Sequence, residues 1–189
     1  VKGEIEFDHV SFAYPEAGEN VLTDISFKAK KGQTIAVIGS TGSGKSTLIN
    51  LIPRYYDVTK GSVKVDGVDV RDMTQKELRD KLGYVPQKGV LFSGTIDSNI
   101  RYGKPEITDA QVKEAAEVAQ ATEFIDTKPE KYESPVSQGG TNVSGGQKQR
   151  LSIARAIAKD PEIFIFDDSF SALDFKTDSQ LRKALKEYT

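Results

Sequence analysis

Gly39, Gly44, Lys45 and Ser46 stand at the interval of a glycine, four residues, then Gly-Lys-Ser, within the run GSTGSGKST from Gly39 to Thr47. A polyphosphate needs many short hydrogen-bond donors at once, and backbone N–H groups supply them only where no Cβ intervenes. Gly39, Gly42 and Gly44 clear that space, and Ser40, Thr41, Ser43 and Thr47 fill out the nucleotide-contacting run. A helix opening near Lys45 turns its first amides toward the phosphates, while Lys45 brings a mobile positive charge to the outer ones. The Ser46 hydroxyl is left to hold Mg2+. This is the pattern of a phosphate loop for a nucleoside triphosphate, and a bare strand-to-helix turn has no need of Gly-Lys-Ser at that interval.

Other residues suggest matching chemistry. Asp167 and Asp168 end the apolar run 162–166, 122 positions after Lys45 (167 − 45). Two carboxylates at the tip of a buried strand are costly unless they meet a cation. In a phosphate-loop protein the first holds Mg2+ and the second faces the attacking water. Successive strand residues point to opposite sides, so that division needs a chain already turning, which Ser169 and Ser171 favour. The alternative is an acidic start to a helix. Ser144-Gly145-Gly146-Gln147 heads a long helix, 147–159, and forms a second anion-binding geometry, although such glycines also serve merely to begin helices. Gln87, just past the apolar strand 82–87, either reaches a metal or water at a phosphate site or is solvated. Tyr14 either offers its face to a purine base or fills a core. His9, the only histidine, reads as a surface residue at a strand end.

The elements that must position these groups follow from periodicity. Residues 4–7 and 11–14 read as short strands, and Ile25, Phe27 and Ala29 alternate with Ser26, Lys28 and Lys30 as in a half-buried strand. A strand at 34–38 leads into the phosphate loop and a helix at 48–52 leaves it, ended by Pro53. Residues 62–70 form a hairpin closed by Asp66-Gly67, and Thr74 with Glu77 caps a helix to about Leu82. From Thr95 to Gln149 the pattern is helical, with Thr108 and Gln111 as a second capping box and Val112, Ala115, Ala116 and Ala119 on one face. The nearly continuous apolar strand 162–166 reads as parallel and covered on both faces.

Composition sets the limits. The 189 residues suffice for one core with an inserted subdomain. A net charge of −2 gives no global attraction to nucleic acid or anionic lipid. No apolar run approaches the roughly 18 residues of a membrane span, so any membrane role comes through a partner or another part of a longer chain. With no cysteine, disulfides and cysteine-held metals are excluded. A start at Val1 and an end within a charged helical segment suggest a piece of a larger protein.

Taken in order, the motifs resemble the nucleotide-binding domain of ATP-binding cassette (ABC) transporters, and within them the exporters. The resemblance covers nearly the whole chain: Tyr14 at the adenine-stacking position, the Walker A loop Gly39–Thr47, the Q-loop Gln87, the signature Ser144–Gln147, the Walker B Asp167, and the D-loop Ser171 to Asp174. Leu91 to Ile96, with Asn99 and Ile100, looks like the exporter segment that receives a transmembrane coupling helix. The resemblance implies an α/β fold: a RecA-like P-loop NTPase core with an N-terminal antiparallel β subdomain and an inserted α-helical subdomain. It implies one domain over residues 1–189, with 1–87 and 150–189 as core and β subdomain and 88–149 as helical subdomain and signature. It further implies ATP and Mg2+ as ligands, with Ser46, Gln87 and Asp167 toward the metal. Tyr14, Lys45, Ser46, Gln87 and Asp167 would act in cis, and Ser144, Gly145, Gly146 and Gln147 on the ATP of a second such domain. Partners would be that domain and coupling helices, not nucleic acid, at the cytoplasmic face of a membrane.

Three departures matter. Asp168 stands where exporters that hydrolyse at both sites carry glutamate, and is shorter by one methylene, roughly 1.5 Å. Ser137-Gln138-Gly139-Gly140 replaces a loop that usually holds Gly and Glu. The switch histidine expected one strand further on lies beyond Thr189, and His9 is no substitute. The first two resemble those of the degenerate half of a heterodimeric exporter, which implies a weak catalytic residue and an intact signature. The competing readings are an ATP-binding regulatory module without significant hydrolysis, and a soluble ABC protein acting on DNA or the ribosome, which the acidic balance disfavours.

Overall fold

The computed structural model describes residues 2–33, 44–86, 89–102, 104–167 and 175–188. The expected strand at 34–38, together with Gly39 to Ser43, Gln87, Asp168 and Asp174, lies outside the described residues. The chain divides into two compact units, Val1–Leu82 and Gly83–Thr189.

In the first unit, β1 (Ile5–Phe12) pairs on one side with β2 (Leu22–Ala29) and on the other with β3 (Lys60–Val65), which pairs in turn with β4 (Val68–Asp69). All pairings are antiparallel. The two short strands expected at 4–7 and 11–14 are one strand with a bulge. Its register to β2 slips between Phe7 and Val10, and His9 at the slip takes a φ of 47°. A bulge of this kind changes which side chains face inward, and here it lets Phe7, Val10, Ser11 and Phe12 all be buried. Ile25, Phe27 and Ala29 are half-buried between exposed neighbours, as the alternation predicts, and Phe27 stacks on Phe7 at 4.6 Å. Asp66 and Gly67 have φ of 55° and 82°, the paired positive values of a tight hairpin turn. Helix α1 (Lys45–Leu51) precedes that hairpin, and α2 (Gln75–Asp80) follows it behind the expected Thr74–Glu77 capping box. Helix α2 stops two residues short of Leu82, because Leu82 belongs to a strand.

That strand, β5 (Leu82–Val85), leads into the second unit and pairs with a much later one, β8 (Ile163–Phe166). Between them come β6 (Gly94–Thr95), α3 (Ile96–Arg101), α4 (Asp109–Val118), α5 (Thr122–Asp126), β7 (Pro135–Val136) and α6 (Gly145–Ala158), with α7 (Phe175–Tyr188) after β8. The helical reading of 95–149 holds, except that β6 and β7 pair across it, Gly94 against Val136 and Thr95 against Pro135. The Thr108–Gln111 box heads α4 as expected, and Val112, Ala115, Ala116 and Ala119 are buried. Helix α6 packs against α3 and α4, and Leu151, Ile153, Ala154 and Ile157 along it are buried with Ile96, Ile100, Ile125 and Leu181 in one cluster. Strand β8 is less covered than expected: Ile165 is buried, while Phe164 and Phe166 are only partly so. Among the described residues no helix is long and apolar enough to cross a membrane.

Candidate nucleotide site

The site is built first on the head of α1. Gly44 sits immediately before it with φ of 90°, a left-handed conformation that suits glycine. A Cβ there would stand 3.1 Å from Leu22 Cδ2 and 3.2 Å from the Val21 carbonyl oxygen, so shape and conformation both select glycine. The helix then closes, Leu48 N–H donating to the Gly44 carbonyl at 2.9 Å. No side chain caps this end, and no acidic residue stands in its first turn. Thr47, Leu48, Ile49 and Leu51 are buried, which leaves Ser46 exposed and Lys45 half-buried. The apolar face thus fixes the helix while Lys45 and Ser46 stay reachable.

Tyr14 is fixed by the same helix. Its hydroxyl shares a 2.7 Å hydrogen bond with Thr47 Oγ1, whose side chain is otherwise buried. Phe12 and Tyr56 meet the Tyr14 ring edge-on at 4.9 and 5.2 Å, arrangements that aromatic quadrupoles favour. Tyr14 is half-buried, so it is neither a sealed core residue nor a loose surface ring. The Tyr14–Thr47 bond escapes sequence reading because Thr47 belongs to the phosphate-loop motif, which by itself says nothing of a tyrosine 33 residues earlier.

The second unit carries the other groups. Ser144 heads α6 in a full capping box: Gln147 N–H donates to Ser144 Oγ at 3.1 Å, and Ser144 N–H donates to Gln147 Oε1 at 3.2 Å. The sequence points to a serine and two glycines at a helix start, but not to Gln147 as the reciprocal cap. One turn on, Arg150 is held by the Gly146 and Gln120 carbonyls and lies 5.0 Å over the Phe124 ring. The preceding loop turns through Gly139 and Gly140, both with positive φ, and Asn142 ties it by accepting Ser137 N–H at 2.9 Å and donating to the Pro135 carbonyl at 3.0 Å. Asp167, just past β8, is 7% exposed, and its N–H donates to the Val85 carbonyl at 3.0 Å. Residues Gly39 to Ser43, Gln87, Asp168 and Asp174 fall outside the described residues.

Each unit, taken by itself, carries a feature that suits a magnesium nucleotide. An uncapped helix head with a lysine and an accessible serine hydroxyl is an anion and Mg2+ donor set, and a buried carboxylate at a strand tip suits a cation. The ABC transporter family matches this chain over residues 22–171. The chain belongs to that family. As an ABC domain it is 47% identical over 185 residues to YgaD of Bacillus subtilis, whose name assigns it provisionally as a multidrug export ATP-binding/permease protein. The match covers 98% of this chain and 32% of YgaD. It is 48% identical over 188 residues to the ABC transporter ATP-binding protein YfiB of the same organism, covering 100% of this chain and 33% of YfiB. A solved structure of a bacterial Atm1-family ABC exporter with ATP bound is similar at a TM-score of 0.92 and 39% identity, over 98% of this chain and 33% of that one. The ABC domain therefore spans about a third of the length of the relatives it matches. Its fold is the mixed α/β fold of an ABC nucleotide-binding domain, as the motif order predicts.

Proposed function

We propose that this domain binds ATP with Mg2+ and hydrolyses it in a site closed by a second ABC domain, powering export across a membrane as part of a longer protein. The observation that carries the reading is that one chain holds two unlike helix heads, Gly44-Lys45-Ser46 and Ser144–Gln147, each suited to phosphate. The names of YgaD and of the Atm1-family structure both speak of export, which supports the exporter reading.

Lys45 neutralises the outer phosphates, and the first amides of α1 donate to them. Ser46, Gln87 and Asp167 would hold Mg2+, which would supply positive charge to offset that developing on the phosphates. Tyr14 packs against the adenine, its ring angle set by Thr47, Phe12 and Tyr56. Asp168 orients a water for attack on the γ-phosphorus; the bond to the β,γ-bridging oxygen breaks, releasing ADP and phosphate. The shorter carboxylate places that water poorly, and a misplacement of about 1 Å costs on the order of 100-fold in rate. This site is therefore slow. Ser144 to Gln147 complete the faster site of a different partner subunit, with the D-loop Asp174 contributing to the same pairing, and the altered loop Ser137–Gly140 belongs to the same asymmetry.

The test is Asp168→Glu in the full-length protein with its partner. Turnover at this chain's own ATP should rise by roughly 10- to 100-fold. No gain would mean that Asp168 is not what limits the site, and would favour the second reading, an ATP holder whose partner alone hydrolyses.

A further inference from the structure

The first turn of α6 is made of residues that weaken it. Gly145 and Gly146 are its first two positions, and glycine gives up more backbone freedom on entering a helix than any other residue. Gly145 is not in the left-handed region, and among the described residues a Cβ there would meet nothing within 4 Å. This chain's own packing therefore does not ask for glycine at the head. The open space suits a backbone that closes against another molecule. A donor aimed at a phosphate must nevertheless be held in one place. The Ser144–Gln147 box holds the turn from the front.

Half-buried Arg150 holds it from behind, and nothing in the proposed chemistry uses this residue. Its Nε donates to the Gly146 carbonyl at 3.3 Å, and a terminal nitrogen donates to the Gln120 carbonyl, 30 residues away in the chain, at 3.1 Å. The guanidinium also lies 5.0 Å from the centre of the Phe124 ring. Gln120 and Phe124 belong to the corner between α4 and α5, and that corner is firm. Ala119, Ala121 and Ile125 are buried in it, and Gln120 turns the chain with a φ of 61°. One planar fork thus reaches from a packed corner to a glycine turn, a geometry that the single point charge of a lysine does not reproduce. Six residues separate Ser144 from Arg150 (150 − 144), which is roughly 9 Å along the helix axis.

We propose that Arg150 is a positioning residue: it fixes the first turn of α6 to the α4–α5 corner, so that Ser144 meets the phosphate held by the partner subunit in one orientation. This rests on the reading in which Ser144 acts in trans. The test is turnover of the full-length protein with its partner in lipid, for Arg150→Lys, Ser144→Ala and both together. Arg150→Lys should lower kcat roughly 3- to 10-fold with KM for ATP unchanged, and should add almost nothing to Ser144→Ala. Amide exchange should rise in the 144–150 peptide and stay as it is in α4, a split that general loosening would not give. Phe124→Leu, which removes the ring and leaves the guanidinium, should move both readouts the same way by less. A loss that multiplies with that of Ser144→Ala, or a KM that moves as much as kcat, would overturn the proposal and leave the nucleotide reading intact. Unchanged turnover in Arg150→Lys, with Ser144→Ala still damaging, would do the same. If Ser144→Ala is silent as well, the trans-acting reading fails and the proposal with it.

Discussion

The heads of α1 and α6 both carry glycines and polar side chains, yet they are finished in opposite ways. Helix α1 has seven residues, a left-handed glycine in front, and no side-chain cap. Its end is held by burial of Thr47, Leu48, Ile49 and Leu51 and by the Tyr14 hydroxyl, so its first amides are not consumed by a cap. Helix α6 has 14 residues and a reciprocal box in which Ser144 and Gln147 satisfy each other. A hydroxyl that accepts one bond still has its own proton to give. The α6 head is therefore a finished structure with one donor in reserve. The contrast suits a site in which one domain supplies the cradle and another supplies the last donor.

The largest effect should come from breaking the α1 side. Replacing Lys45 by Ala in the full-length protein should lower ATP affinity at this chain's site on the order of 100-fold, read by nucleotide binding. Unchanged affinity would remove the site assignment. Ser144→Ala should do the reverse: ATP affinity here is unchanged, turnover at the partner's site falls roughly tenfold, and loss of the cap costs about 1 kcal/mol of stability. If both substitutions alter the same site in the same way, the two heads are not divided between domains.

The smallest effect serves as a baseline. His9 is exposed at the β1 bulge and hydrogen-bonds Asp24 at 2.7 Å. That bond first, and the charges of Asp24 and Asp8 after it, raise its pKa above 6.5. A raised pKa means stability that is present below the unfolded value of 6.5 and lost as pH rises through the folded value. NMR titration of this single imidazole should move down toward the ordinary value in Asp24→Asn, the Asp8 charge still holding it somewhat raised, with ATP binding and turnover untouched. A change in either would show that the bulge reaches the site.

Most of this organisation can be read from residue types. The helix opening after Gly44, the boxes at Thr74 and Thr108, and the Asp66-Gly67 turn are local devices, and local devices show in sequence. The tie of Arg150 to Gln120 does not, because its bond spans 30 residues and an alanine-rich helix gives no sign of which arginine reaches across. The β1 bulge was equally hidden: two apolar runs separated by Asp8-His9 look like two strands until a register slip joins them. The Thr95 cap is hidden for a simpler reason, since its reciprocal partner is Ser98 rather than Glu or Gln.

Whether the site is shared between two different chains is decided most simply by subunit composition. The full-length protein would be taken from membranes in mild detergent, and its co-purifying subunits identified and counted by mass spectrometry. A second half-transporter at one-to-one, carrying glutamate after its Walker B aspartate, is expected. Recovery of this protein alone, as a homodimer, would contradict it, and Asp168 would then have to serve at both sites.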